Sequence, residues 1–264
     1  MSKVGAAIVL IVVLAALIGP MLVPYDPAAQ ELALRLEGPT GFHWFGLDEL
    51  GRDILARLLQ GARISLIVGL AVVSVSSTVG MLFGSMAGYF GGRVDDVISR
   101  VIDILMAFPG ILLAIALVAV LGPNLVNVVL ALSIIGWVGY ARLVRGQALR
   151  AREFEFVQAA RASGASAARI VLRHILPTAI PAVVVQATLG MAGAIIAEAA
   201  LSFLGLGVQP PTPSWGTMLD AGRAHLFDAP HLTIFPGLAI ATLVLGFNFL
   251  GDGLRDRVDP KMVR

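Results

Sequence analysis

Residues capable of acid–base or covalent chemistry are few in this chain, and they do not gather. The four histidines are His43, His174, His225 and His231. Only the last two are near neighbours, six residues apart across Pro230, which is not a metal-ligand spacing. Cysteine is absent, which excludes a disulfide framework and any thiolate metal site. The only lysines are Lys3 and Lys261, and neither sits in the Gly-Lys-Ser/Thr sequence that ends a Walker A phosphate loop. No Ser/His/Asp constellation emerges either. The pattern is that of a chain that is not an enzyme and carries no cofactor and no metal.

Two features remain. Glu198 is the one carboxylate well inside an apolar run, about 20 residues along it and so roughly 30 Å from its inner end. It reads either as a gate or substrate-path residue, or as an interfacial carboxylate satisfied by an outer arginine or a backbone donor. The second feature is the 37-residue segment Ala141–Pro177. Phe154, Phe156, Val157, Ala159 and Ala160, followed by Gly164, predict a short helix ending near the glycine. Ser166 is a suitable N-cap for a second helix, expected to end before Pro177. Alanines and a central glycine admit the close approach of another backbone. The element is either a grip for a partner or a plain helical surface loop.

The elements that must position these features are membrane helices. Hydrophobic residues make up 58% and charged residues 14%, against about 25% charged in a soluble domain. The mean hydropathy of +0.88 points to a bilayer as solvent and excludes disorder. Six runs are long enough to span: Val4–Val23, read as an uncleaved helix, then Ile64–Phe90, Val101–Leu121, Leu125–Tyr140, Thr178–Leu206 and Leu232–Leu250. With the N-terminus inside, only Arg35, Arg52, Arg57, Arg63 and Arg223 of the 19 basic residues fall outside. The inner set, which includes Lys261 and Arg264, then places both termini in the cytoplasm. Topology accounts for the high isoelectric point, so no nucleic-acid partner is expected.

Further expectations concern the segments between and within the spans. Leu47, Leu50, Ile54, Leu55, Leu58 and Leu59 recur at helical spacing, which predicts an outer amphipathic helix before the second span. Pro210, Pro211 and Pro213, three prolines in four positions, forbid a helix at that point and stiffen the outer loop Gly207–His231. Ser76, Gly80, Gly84 and Gly88 lie on one face of the second span and permit close packing, within the subunit or against a second one. Trp44, Trp137 and Trp215 fall near span ends, as an aromatic belt would. Gln186 and Asn248 are candidates for hydrogen bonds between helices. A gradient-driven transporter acting alone would need more intramembrane charge than this.

The run Gln158-Ala159-Ala160-Arg161-Ala162-Ser163-Gly164, followed by Arg173-His174-Ile175-Leu176-Pro177, resembles the EAA loop of bacterial ABC importer permeases. That motif reads Glu-Ala-Ala, three residues, Gly, nine residues, Ile, one residue, Leu-Pro. Here Gln158 replaces the Glu and His174 the Ile. Asp48–Ile54, Gly61–Leu66, Ala87–Gly92, Asp103–Pro109, Tyr140–Gly146, Ala197–Gly207 and Pro210–Gly216 are similar to the dipeptide/oligopeptide/nickel branch, in the order of its C-type subunit.

The resemblance implies an all-α membrane protein of six helices with the type I ABC importer permease fold, in the bacterial inner membrane. It implies residues 1–61 as a first helix plus outer segment, 62–251 as the permease domain and 252–264 as a cytoplasmic tail. The implied partners are a paired B-type permease, two ATPase subunits, an extracytoplasmic substrate-binding protein and the lipid bilayer. The implied cargo is di- or oligopeptides, with nickel and glutathione as alternatives. The implied ATPase-coupling residues are Gln158, Ala159, Ala160, Arg161, Gly164, Arg169, Leu176 and Pro177. Arg161 and Arg169 are read as contacts to the ATPase or as positive-inside anchors.

Overall fold

A computed structural model describes residues 2–258, so Lys261 and Arg264 lie outside the described residues. The described chain is helical throughout, apart from turns and one isolated β-bridge between Leu47 and Asp53. The helices are α1 (Ser2–Leu22), α2 (Ile54–Phe90), α3 (Gly92–Met106), α4 (Gly110–Leu121), α5 (Leu125–Ala151), α6 (Glu155–Ala162), α7 (Ala167–Ile170), α8 (Leu176–Phe203), α9 (Trp215–Gly222) and α10 (His231–Val258). Five are long and apolar enough to cross a membrane, with α7 and α8 counted as one; a sixth crossing arises if α3 and α4 form one bent span.

The bundle is organised around α2 and α5, which approach backbone to backbone. A Cβ added at Gly80 would fall on Tyr140 Cβ and 2.8 Å from the Trp137 carbonyl oxygen. At Gly84 it would strike the Ala141 backbone, and at Gly88 it would lie 2.6 Å from Ala148 Cβ. The glycine stripe read from the sequence thus packs within the subunit, where small residues let dispersion contacts form over the whole helix length. Helix α8 closes against both partners: Met191 and Ile195 meet Val73 on one side, and Ala179 and Val183 meet Tyr140 and Val144 further along. Helix α10 covers α8, and α1 lies outermost with its start against the end of α10. Gly5 nests on the α10 backbone at Leu250, and Arg257 donates to Ser2 Oγ at 3.4 Å. Both described ends therefore share the side of the bundle where α2 and α5 finish.

Three expectations are corrected. The segment from Leu47 is not an amphipathic helix. The Asp48 carboxylate accepts the backbone N–H groups of Leu50 and Arg52, and Gly51 turns the chain at φ +71°. Local bonds from aspartate to backbone compete with helix and win here. The helix begins only at Ile54, N-capped by Asp53 through the Ala56 N–H, and runs without interruption into the second span. The third run is not one straight helix either. Ala107-Phe108-Pro109 breaks it, and α3 and α4 meet at 85°. A residue before proline is driven out of helical geometry, and the proline lacks the N–H to continue. Finally, Trp215 is not in a belt. It is 2% exposed, lies over Gly61, and donates to the Leu58 carbonyl at 2.9 Å.

Gly84→Leu forces a side chain into backbone. The expected cost exceeds the roughly 1–3 kcal/mol of ordinary overpacking. The variant is expected to lose most of its monodisperse fraction in detergent size-exclusion chromatography, whereas Gly237→Leu, where an added Cβ meets nothing within 4 Å, retains it.

Candidate functional site

The helix–turn–helix segment projects from the end of α5. Val157 of α6, Ile170 of α7 and Ile175 are fully buried together with Ala148 and Ala151 of α5. The half-buried Tyr89, Ala160, Ala165 and Val171 pack around them. The segment is thus a small apolar core fastened to α5 and α2.

The turn between α6 and α7 is a Schellman motif. The Gly164 N–H donates to the Arg161 carbonyl at 3.0 Å, and the Ala165 N–H to that of Ala160 at 3.1 Å. The motif needs a left-handed residue, and Gly164 has φ +79°. Ser166 caps α7 by accepting the Arg169 N–H. Both signals were legible in sequence.

The end of the second helix was not. No break occurs before Pro177. The chain passes through a π turn at Val171–Ile175 and continues as α8. A proline ring clashes with the carbonyl four residues earlier in an α-helix, and a widened turn is the accommodation. The result is a single rod from Ala167 to Phe203.

The coupling residues divide by face. Gln158, Ala159, Arg161, Gly164, Arg169 and Pro177 are exposed, while Ala160 and Leu176 are half-buried. Phe154 and Phe156 add large apolar surface to the exposed side at 45% and 47% exposure. Gln158 Nε2 donates to the Glu153 carbonyl at 3.2 Å, a bond that an ionised glutamate cannot make. The Arg161 guanidinium lies over the Tyr89 ring, 5.4 Å from its centroid.

At the other end of α8, Glu198 is completely buried. It is satisfied by hydroxyls and not by an arginine: Ser202 Oγ donates at 2.7 Å, and Ser65 Oγ of α2 at 3.2 Å. Ser202 Oγ in turn accepts the Val208 N–H at 3.3 Å, and the fully buried Ser214, the N-cap of α9, stands beside it. The carboxylate joins α2 and α8 and, through Ser202, the loop between α8 and α9. At the same end of the bundle the Asp48 carboxylate receives Arg52 at 2.7 Å and Arg57 at 3.3 Å. In the exposed loop before α10, His225 holds the Asp228 carboxyl below its ordinary range.

Sequence reading missed a cavity of about 300 Å³ between α2, α4, α5 and α8. Its walls are apolar except for Ser76, Tyr140 and Gln186, and no charged side chain lines it. Of its polar groups, Ser76 and Gln186 drew attention in the sequence as packing and hydrogen-bonding residues.

A helical bundle with a charge-free cavity and a helix–turn–helix segment continuous with one crossing helix matches known proteins along 99% of its length. Residues 80–264 match the family described as binding-protein-dependent transport system inner membrane component. The chain belongs to that family. Residues 1–39 match the N-terminal transmembrane domain of oligopeptide transport permease C. The dipeptide transport system permease protein DppC of Alkalihalophilus pseudofirmus is 48% identical over 99% of this chain and 86% of that protein. The glutathione transport system permease protein GsiD of Pectobacterium atrosepticum is also 48% identical, over 96% of this chain and 85% of its own length. Among solved structures, the inward-facing MetNI methionine ABC transporter aligns with a TM-score of 0.61 at 19% identity, covering 77% of this chain and 97% of that one. An amino acid ABC transporter aligns at 0.57 and 17% identity, over 76% and 94%. The permease therefore has the MetI-like fold of ABC importers, as a multi-pass inner-membrane component.

In this permease Glu198→Leu removes the acceptor of two buried serine hydroxyls, those of Ser65 and Ser202. Each unsatisfied group costs about 1–3 kcal/mol. A clear drop in the thermal midpoint of the detergent-solubilised protein is expected, with Glu198→Gln falling between it and the parent.

Proposed function

We propose that the permease is the non-catalytic half of a heterodimeric pore for di- or oligopeptides, driven by ATP hydrolysis in partner subunits. The observation that carries this reading is the continuity of the exposed α6–α7 face with the α8 rod. An ATPase subunit grips Gln158, Ala159, Arg161, Gly164 and Arg169, using the apolar surface of Phe154 and Phe156. Ala160 and Leu176 brace the loop from within, and Pro177 sits at the joint to α8. Two ATPase subunits act, one on this loop and one on the equivalent loop of a B-type permease. ATP-bound and ATP-free partners must hold the loop in different geometries, because a ligand moves an equilibrium only by its differential affinity. Residues 1–61 form the peripheral helix and outer segment, 62–251 the permease domain and 252–264 the tail.

In this reading the termini and the loop face the cytoplasm, in keeping with the arginine distribution. An extracytoplasmic binding protein delivers cargo to the opposite side. Glu198 acts at that outer end as the pin of the gate region. The uncharged cavity suits cargo that carries its own charges at its termini, since a fixed charge would trap one end. Glutathione is the second reading, favoured by relatives of that name at the same identity as the dipeptide permease.

The tests separate assembly, coupling and cargo. A mild-detergent pull-down is expected to bring a second permease and ATPase subunits; the chain coming down alone in several detergents would falsify the assembly. Ala159→Trp and Gly164→Trp are expected to abolish ATP-driven uptake in proteoliposomes while leaving membrane insertion intact. Normal uptake by both variants removes the coupling assignment. For cargo, excess unlabelled dipeptide is expected to suppress uptake of labelled dipeptide more strongly than equal glutathione does; the reverse order selects the glutathione reading.

A further inference from the structure

In the proposed function the loop has one mechanical output, the α8 rod. The structure contains a second connection from the same element, to the corner between α2 and α3. That corner is Gly91-Gly92, with φ +65° and +51°. Two left-handed glycines in succession leave the angle between the helices to whatever holds the corner from outside. What holds it is a set of three arginines from α5 and the loop.

Arg145 grips Asp95, in the first turn of α3, with two bonds of 2.5 and 2.6 Å. Arg152, just past the end of α5, donates to the Gly88 carbonyl at 3.3 Å. Arg161 of α6 stacks over Tyr89, in the last turn of α2. Of the three, only Arg161 belongs to the helix that the ATPase is proposed to hold. Tyr89 also packs against the apolar cluster in which Val157 and Ile170 of the loop join Ile175 and, on α5, Ala148 and Ala151, so the loop meets it through that cluster as well as through Arg161. Past the corner, α3 leads to the 85° break and to Gly110, which lines the cavity.

We infer that Tyr89 is a positioning residue that passes displacement of the α6–α7 loop to the α2–α3 corner, and through α3 to the cavity wall at Gly110. The inference rests on the coupling role proposed above. Loop movement then reaches the cavity from two directions, through α8 and through α3–α4. The Arg161–Tyr89 contact suits transmission: a cation over a ring face tolerates sliding better than a bidentate ion pair and still resists separation.

The chain has no native cysteine, so spin labels can be placed by single substitutions. Asp96→Cys on α3, Thr178→Cys on α8 and Lys3→Cys on α1 are exposed positions at the loop end of the bundle. Distances from α1 to α3 and from α1 to α8 are read by pulsed electron paramagnetic resonance in the assembled complex, without nucleotide and trapped with ATP and vanadate. This readout needs no knowledge of the cargo. Both distances are expected to shift on trapping in the parent. Tyr89→Leu is expected to lose the α3 shift and keep the α8 shift, and Tyr89→Phe, which retains the ring, to keep both. Arg161→Gln removes the contact from an exposed position, so it reports even if Tyr89→Leu folds poorly, and it too is expected to lose the α3 shift. An α3 shift that persists in Arg161→Gln or in folded Tyr89→Leu, or that is lost in Tyr89→Phe, overturns the inference and leaves the coupling role standing. Absence of the α8 shift in the parent overturns both.

Discussion

The rest of the molecule depends on the absence of side chains between α2 and α5. With glycine at 80, 84 and 88 the two backbones touch, and Tyr140, Ala141 and Ala148 fill the space that Cβ atoms would need. In a lipid environment there is no hydrophobic drive to bring two helices together, so close dispersion contact and good shape must supply the association. The pair then fixes three other things. It gives α8 a two-sided bed, it brings the end of α5 beside the end of α2, and it determines where the loop stands relative to the α2–α3 corner.

The loop is joined to α8 with no break between its turn and the crossing helix. The Schellman turn closes at Gly164, Ser166 caps the next helix, and the π turn absorbs Pro177 without a break. In the proposed coupling role, a displacement of the exposed face is therefore passed to α8 with no hinge between them. The chain changes direction elsewhere, at Gly91-Gly92 and at the Ala107–Pro109 break, where α3 and α4 meet at 85°.

Much of this was legible in the residues. The apolar runs located the crossing helices, and Gly164 with Ser166 located the turn. The permease family was visible in motifs spread over nearly the whole chain. What could not be read is physical in each case. The leucine periodicity before Ile54 is real, but Asp48 binds the backbone N–H groups that a helix would use. Pro177 carries a stop signal that a π turn overrides. The third run has a uniform hydropathy that conceals a right-angled bend at Phe108-Pro109. Glu198 and Ser65 are 133 positions apart, and no local pattern reports that they bond. Trp215 resembles an interfacial residue by position alone, and only the tertiary contact with Gly61 explains it.

The buried carboxylate also constrains the order in which the protein is built. Ser65 lies in α2, which leaves the ribosome long before α8. Ser202 travels one helical turn behind Glu198 on the same helix, and Ser214 follows with α9. When α8 enters the bilayer, a hydroxyl from an earlier helix is already waiting, and a second arrives within the same segment. Glu198 and Ser202 are one helical turn apart, so the acid enters with a hydroxyl partner on its own helix, and the contact of Ser202 with the Val208 N–H follows later in the chain. The residue that ties α2 to α8 in the finished bundle thus carries part of its own hydrogen-bonding complement on the helix that brings it.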